Sequence, residues 1–266
     1  MIAQNLFLLI NSAINSRTCF IIVSMHETQI LLGKFSEAAL DSILKKSSDM
    51  NGIPDRIKFL SDQFLGVAYM EATLAGGRDI PEILVVNLEG IDCFTFIDYV
   101  EAMRMSHSFY DFLKNLVRVR YKSGDVSFSS RKHFFTDWAS SVPVAVNDIT
   151  GEIAGMKTEK SLKVLNMEED GTYYLPGIEP VEREICYIPA PAIDGHVLKS
   201  LTTGDYIGIY SHVAGLDVSH VGIFIRDGSE TYMRHASSQA KIRKVIDEDF
   251  LSYVMKTPGI VVLRPV

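Results

Sequence analysis

The side chain best placed for covalent chemistry is Cys93, in the run Asp92-Cys93-Phe94-Thr95-Phe96. A lone cysteine on an apolar helical stripe is usually just a small buried hydrophobic residue. Asp92, however, is a good N-cap residue, so we expect Cys93 in a first helical turn, where unpaired N–H groups favour a thiolate and can later stabilise an oxyanion. The charge of Asp92 opposes that thiolate unless its carboxylate is occupied in capping. Cys93 is the candidate nucleophile.

A thiol nucleophile needs a base, usually a histidine held by a third polar group. Two of the seven histidines lie in a segment that is typical of a β-hairpin, with strands at residues 218–225 and 231–236 around Asp227-Gly228. If these two residues form the turn, His220 and His235 are directly opposed, close enough for one imidazole to orient the other. A pair of ordinary surface histidines is the alternative, and a longer turn would shift the register.

Residues 130–138 hold another concentration of ionisable and aromatic side chains. It contains Arg131, His133, Asp137 and the only tryptophan, Trp138. His133 is a rival candidate for the base. We expect these side chains to line a groove that binds sugar or peptide, although a rigid packed loop explains the same composition equally well.

The elements that must position these residues change in type along the chain. Apolar residues at three- and four-residue spacing predict helices at residues 35–44, 57–69, from 93 onward and 108–119. Short β-type runs predict strands at residues 83–87, 126–128, 161–165, 186–188, 205–210, 218–225, 231–236 and 260–263. Helices followed by an antiparallel β run predict an α+β fold.

Composition excludes several classes of protein. The 266 residues are 47% hydrophobic, enough to bury a core, and no linker-like stretch divides them. We expect a segment of uncertain role at residues 1–30 and a single domain at residues 31–266. The net charge of −7 gives no broad basic field, so nucleic acid is not an expected partner. Cys19, Cys93 and Cys186 have no C-x-x-C spacing, which argues against a disulfide framework or a zinc knuckle.

Motifs of other enzyme classes are missing from the sequence. It has no G-x-S-x-G, no H-E-x-x-H, no Walker loop and no dinucleotide fingerprint. No window reaches the roughly 18 to 20 apolar residues of an integral membrane segment. Residues 1–24 hold two short apolar runs with no basic residue ahead of the first, which is atypical of a secretory signal. An atypical signal, an ordinary N-terminal element and a true start at Met25 stay open.

Further short motifs accompany the cysteine and the histidines. They are Phe64-Leu-Gly-Val-Ala-Tyr69 before Leu74-Ala-Gly-Gly77, Val85-Val-Asn-Leu88 before Asp92, and Gly204-Asp-Tyr-Ile207 before Ser219-His-Val-Gly-Ile223 and His235-Ala-Ser-Ser238. This combination resembles the NlpC-type papain-like cell-wall hydrolases, whose order Cys, His, His it shares. With residues 131–138 and Tyr187-Ile188-Pro189 included, it is similar to the branch described as N-acetylmuramoyl-L-alanine amidase-like.

The resemblance covers residues 35–265 and implies a papain-like (NlpC-type) α+β fold, in which a helical N-terminal half packs on an antiparallel β-sheet. It implies that Cys93 is the nucleophile, His220 the base and His235 the residue that orients His220. Tyr69 is implied to assist the oxyanion or the substrate. The resemblance implies no metal and no organic cofactor.

The implied activity is hydrolysis of an amide bond in peptidoglycan or muropeptides through a thioester, with N-acetylmuramoyl-L-alanine amidase the favoured reaction. A stem-peptide endopeptidase cutting at D-Glu is the alternative within the enzyme class. A non-catalytic cell-wall binding module is the alternative outside it, but binding alone requires none of Cys93, His220 and His235. The substrate class favours the cell envelope or periplasm, and the compartment stays open.

Overall fold

The computed structural model of the chain describes residues 18–23, 26–140 and 145–266. Its helices are α1 Glu37–Ser48, α2 Ile53–Asp62, α3 Cys93–Arg104, α4 Phe109–Arg120, α5 Asp137–Ser140, α6 Thr150–Ala154, α7 Gly195–Ser200 and α8 Phe250–Val254. Its strands are β1 Thr18–Val23, β2 His26–Leu31, β3 Ala68–Tyr69, β4 Leu84–Asn87, β5 Gly90–Ile91, β6 Val146–Asp148, β7 Glu159–Leu165, β8 Val181–Pro189, β9 Tyr206–Tyr210, β10 Val218–Asp227, β11 Glu230–Ser237, β12 Lys244–Asp249 and β13 Gly259–Pro265. None of the helices described is long and apolar enough to cross a bilayer. The predictions for residues 1–17 and 24–25 lie outside the described residues.

A ten-stranded sheet organises the fold, in the order β5-β3-β12-β11-β10-β9-β13-β8-β7, with β6 added beside β13. Neighbouring strands are antiparallel except β3 and β5, which run parallel because the chain returns to this edge in the same direction. The predicted α+β class is confirmed, but the sheet is mixed and not antiparallel throughout. The papain-like assignment stays a prediction.

Strand β2 spans residue 30, where we expect the N-terminal segment to end, and the division into 1–30 and 31–266 stays a prediction. In a second, three-stranded sheet, β2 pairs antiparallel with β1 and parallel with β4. Strand β4 leads through β5 directly into α3. Residues 26–31 are therefore integrated with the strand that precedes Cys93.

Alternate residues of the central strands face opposite layers of helices. On β13, Val261 and Leu263 join the core formed with α1 to α4, whereas Ile260 and Val262 join a second core formed with α6, α7 and α8. Successive side chains of a strand point to opposite faces, so this pattern requires cover on both sides. The central strands β9 and β13 are consequently buried on both faces.

Helix α3 is enclosed over nearly its whole length. All of its residues from 95 to 104 are buried, against α2, α4 and β10 among other elements. A helix surrounded on all sides is normally apolar all round. This one carries Asp98, Glu101 and Arg104, so its polar groups need partners inside the protein.

Two ion pairs supply those partners. Arg120 of α4 donates from Nε to Asp98 at 2.8 Å and from Nη1 to a backbone carbonyl of β4 at 2.7 Å. Glu101 accepts from Arg104 Nε at 2.9 Å and from the hydroxyl of Tyr206 at 2.8 Å. Buried charges are costly unless paired and hydrogen-bonded, so these contacts tie α3 to α4, β4 and β9.

The strand predicted at residues 126–128 is wrong, because local hydrogen bonds satisfy that segment. Ser127 donates its backbone N–H to Asp125 O at 3.0 Å, and the Ser130 N–H bonds to Ser127 O at 3.2 Å. Serine and aspartate side chains add further bonds of this kind and compete with strand pairing. The segment is a loop.

Removing one partner of the buried pair should expose its structural role. We expect Asp98→Ala to lower the free energy of unfolding by about 3–5 kcal/mol, because it leaves the Arg120 charge buried without compensation. Urea unfolding followed by circular dichroism measures this. The matched control is Glu184→Ala, which breaks an exposed pair with Lys160 and should cost no more than about 1 kcal/mol. Equal losses in the two variants would contradict the prediction.

Candidate active site

Cys93 begins α3 directly after a turn that side chains cap. Asn87 Oδ1 accepts two backbone N–H groups between β4 and β5, each at 3.1 Å. Asp92 Oδ1 then accepts the Thr95 N–H at 2.7 Å, while Thr95 Oγ1 accepts the Asp92 N–H at 3.0 Å. This reciprocal pair is a capping box, and the predicted N-cap role of Asp92 is confirmed.

The surroundings of the Cys93 sulfur favour the neutral thiol. Although part of the side chain stays open to solvent, burial, followed by the Asp92 carboxylate, raises the pKa of Cys93 to about 12. The backbone N–H groups of Val221, Cys93 and Phe94 favour the charged sulfur and oppose this shift. The thiol of the free protein is therefore protonated at neutral pH, in contrast to the expected thiolate, even though Asp92 is occupied in capping.

His220 and His235 are hydrogen-bonded through their rings. His220 Nε2 lies 2.7 Å from His235 Nδ1, and the ring planes are nearly perpendicular, at 89°. Burial lowers the pKa of His220 to about 3, with a smaller contribution from His235, and burial also lowers the pKa of His235. Both imidazoles are therefore neutral at neutral pH.

The predicted register of the hairpin is wrong by two residues. Asp227 pairs with Glu230, so the turn is Gly228-Ser229 and not Asp227-Gly228. Gly228 has a φ of +59°, a value that a primed hairpin turn requires at its first central position and that favours glycine there. A shift by two residues keeps every side chain on its face of the sheet.

In the observed register the two histidines are diagonal neighbours. Gly222 lies beside His235, and a Cβ at Gly222 would stand 2.9 Å from the His235 Cβ and 2.7 Å from the Arg234 carbonyl oxygen. The missing side chain leaves the space across which the imidazole of His220 reaches its partner.

Two residues that the sequence analysis missed extend this pair. Glu248 Oε2 lies 3.2 Å from His235 Nε2, and the Tyr253 ring packs 5.0 Å from the His235 ring and 6.3 Å from that of His220, measured between centroids. Burial, then the charges of Glu248 and Cys93, raise the pKa of Tyr253 to about 12. In the described part of the chain, no three His, Cys, Asp or Glu side chains form a candidate metal site.

Tyr69 lies on the strand that pairs with β5, shortly before Cys93 in the chain. Strand β3 runs parallel to β5, which places Tyr69 opposite Ile91. Burial raises the pKa of Tyr69, with further contributions from Cys93 and Asp92, and the Arg243 guanidinium stands 4.7 Å from its ring centroid. The charge of Cys93 therefore influences Tyr69, and the role of Tyr69 at the oxyanion or the substrate stays a prediction.

Arg131 and His133 are half-buried and bonded within the protein. Arg131 Nη1 donates to Glu82 at 3.0 Å. His133 Nε2 lies 2.8 Å from the Phe128 carbonyl oxygen, and burial lowers the pKa of His133 to about 4. These contacts hold Arg131 against the segment before β4 and His133 against its own loop.

Asp137 and Trp138 are buried, at 3% and 2% exposure. Asp137 accepts from Arg183 at 2.9 Å. Trp138 packs edge-on against Phe94, the residue after Cys93, with 6.2 Å between ring centroids. Trp138 therefore contacts the start of α3 from inside the protein, and a substrate contact by these two residues stays a prediction.

A family model described as N-acetylmuramoyl-L-alanine amidase-like matches residues 59–260. This chain belongs to that family. The matched segment contains Cys93, His220, His235 and Glu248. The family description points to an amidase that acts on peptidoglycan.

Solved structures similar to this chain agree with its membership of the amidase-like family. An N-acetylmuramoyl-L-alanine amidase from Bacteroides uniformis is 26% identical, with a TM-score of 0.65 over 79% of this chain and 98% of that one. A second structure of that description is 25% identical, with a TM-score of 0.64 over 85% and 98%. A Legionella pneumophila protein of family DUF1460 is 23% identical, with a TM-score of 0.71 over 87% and 97%, and shows the fold alone. No curated protein matches the chain significantly.

The influence of Asp92 on the thiol can be measured directly. In Asp92→Asn the amide oxygen still accepts the Thr95 N–H, but the charge that raises the pKa of Cys93 is gone. A lower thiol pKa means more thiolate at a given pH. We therefore expect iodoacetamide to alkylate Cys93 about fivefold faster at neutral pH if the carboxylate contributes about 1 kcal/mol.

Peptide mapping by mass spectrometry measures that rate, and Cys186 of the same protein serves as the internal control. An unchanged Cys93 rate in a folded Asp92→Asn variant would show that burial alone sets the pKa of the thiol.

Proposed function

We propose that this protein hydrolyses amide bonds in peptidoglycan fragments, with Cys93 as nucleophile, His220 as base and His235 as orienting residue. The observation that carries the proposal is the hydrogen bond between the rings of His220 and His235 on β10 and β11, because α3, which begins at Cys93, packs against these two strands. His220 uses Nε2 toward His235, which leaves Nδ1 for the thiol. A thiol, an imidazole and an orienting polar group are what nucleophilic catalysis by cysteine requires.

The neutral state of both groups determines the first step. His220 removes the thiol proton as the sulfur attacks the carbonyl carbon, so no thiolate needs to persist in the free enzyme. The new S–C bond moves an electron pair onto the carbonyl oxygen. N–H groups of the first turn of α3, with the Tyr69 hydroxyl, are the proposed donors to this oxyanion.

Collapse of the tetrahedral intermediate breaks the C–N bond, and His220 gives its proton to the leaving amine. The acyl group stays on Cys93 as a thioester. A water molecule then attacks the thioester while His220 accepts its proton, and the returning sulfur regains a proton from His220. The cycle needs proton transfer at one imidazole nitrogen and no redox partner.

The family description favours the bond between the muramic acid lactyl group and L-alanine. In this proposal the protein is an NlpC-type papain-like amidase whose domain spans residues 31–266. Arg131 and His133 are the members of residues 131–138 that we keep as substrate contacts, since they are half-buried. Asp137 and Trp138 support the groove from behind.

Mass spectrometry of products from a purified muropeptide tests the reaction. An amidase releases the intact peptide with a free L-alanine amine, whereas an endopeptidase acting at D-Glu divides the stem peptide. Absence of turnover by the folded protein, with binding retained, would make it a binding module and overturn the proposal.

The assignment of Cys93 makes a sharp prediction. Cys93→Ala should abolish hydrolysis without changing the circular dichroism spectrum, because the variant has no thiol to form the thioester. Cys186→Ala is the matched control, since it removes the other described free thiol, and it should keep turnover near that of the wild type. Wild-type turnover by Cys93→Ala would exclude the mechanism.

His235 should matter less than His220. Loss of the base in His220→Ala should lower kcat by about 10²- to 10⁴-fold. His235→Ala keeps the base but not its partner, so we expect a smaller loss. His235→Asn should retain more activity than His235→Ala, because its amide oxygen can accept the His220 Nε2–H. Steady-state kinetics on one substrate compares the three, and a His235→Asn variant as inactive as His220→Ala would give His235 a direct chemical role.

A further inference from the structure

The hydrogen bond between His220 and His235 has no direction of its own. Two neutral imidazoles 2.7 Å apart share one proton between the facing nitrogens, and either ring can carry it. If His220 Nε2 carries the proton, Nδ1 has a free lone pair and can act as a base. If His235 Nδ1 carries it, the proton of His220 moves to Nδ1, and that nitrogen can no longer accept the thiol proton.

Glu248 breaks this symmetry. Its Oε2 lies 3.2 Å from His235 Nε2, the nitrogen on the far side of that ring from His220. An ionised carboxylate only accepts hydrogen bonds, so His235 must carry its proton on Nε2. His235 Nδ1 is then an acceptor, and the contact to His220 requires the proton on His220 Nε2.

The surroundings of the Glu248 side chain keep it directed at His235. It is 27% exposed and lines an open cavity of about 500 Å³, so solvent reaches its carboxylate. The neighbouring Asp247 accepts hydrogen bonds from both Nε and Nη2 of Arg234, each at 2.7 Å. These bonds fix β12 beside β11. Tyr253 packs against both imidazoles and restricts rotation of the rings.

We propose that Glu248 is a positioning residue that sets the tautomers of both histidines and so leaves the basic Nδ1 of His220 for Cys93. The proposal rests on the proposed roles of Cys93 and His220. Glu248 acts through His235 and does not touch the substrate. Its function is to give the histidine pair one direction of proton donation where two would otherwise be equivalent.

Nuclear magnetic resonance of the full-length protein with ¹⁵N-labelled histidine tests the proposal without any substrate. Long-range ¹H–¹⁵N correlations identify which ring nitrogen of each histidine is protonated, and spectra of His220→Asn and His235→Asn supply the assignments. We expect both histidines of the wild type to be protonated on Nε2 at neutral pH. In Glu248→Gln the amide can donate as well as accept, so we expect a second population with the proton of His220 on Nδ1.

Steady-state kinetics of Glu248 variants provide a second test of the proposal. We expect Glu248→Gln to lower kcat roughly 10- to 100-fold with little change in KM, and Glu248→Asp, which still only accepts, to recover part of the loss. Glu184→Gln is the matched control, because it neutralises an exposed carboxylate on β8 and should leave the activity and the tautomers unchanged.

Unchanged histidine tautomers in Glu248→Gln would overturn the proposal, whatever happens to the activity. A loss of activity that Glu248→Asp does not relieve at all would also count against it. Turnover by Cys93→Ala would instead overturn the proposed function, and the spectra would still report whether Glu248 directs the two rings.

Discussion

Enclosure of α3 is the constraint on which the rest of the structure depends. The charged residues of a helix whose residues 95–104 are all buried need partners inside the protein, and Asp98 and Glu101 find them in Arg120, Arg104 and the Tyr206 hydroxyl. These bonds connect the helix to elements on several sides, so its axis has little freedom. The N-terminus of α3, and with it the sulfur, is thereby held at β10, where precision of placement matters for chemistry.

The same enclosure explains why the site differs electrostatically from a pre-formed thiolate–imidazolium pair. Desolvation disfavours the charged form of both groups, raising the pKa of Cys93 and lowering that of His220. In the proposed mechanism, such a site keeps a less reactive sulfur at rest and creates charge only as the substrate carbonyl accepts it. Backbone N–H groups near the sulfur then stabilise charge that develops during attack.

Much of this arrangement could be predicted from the sequence because it depends on local patterns. Asp92 before an apolar stripe predicts the cap, and two short β-type runs around Asp227-Gly228 predict β10 and β11. The register was predicted wrongly because the turn position was misplaced by one residue, yet the face was right, since a two-residue shift preserves it. Glu248 was missed because β12 reads Lys-Val-Ile-Asp-Glu-Asp, where charges on a partly exposed strand hide the period of two. Side-chain contacts from distant segments, such as Trp138 against Phe94, have no local signal.

The position of β12 in the sheet determines how long Glu248 stays in contact with His235. This strand pairs with β11 along its whole length, but the two-residue β3 meets it at Lys244, away from Glu248. Elements with sparse cover open more readily than the protein unfolds as a whole. Separation of β12 from β11 would remove the carboxylate from His235 while α3 and the central strands stayed intact. If Glu248 acts as proposed, catalytic competence can thus be lost through a local fluctuation that global stability does not govern.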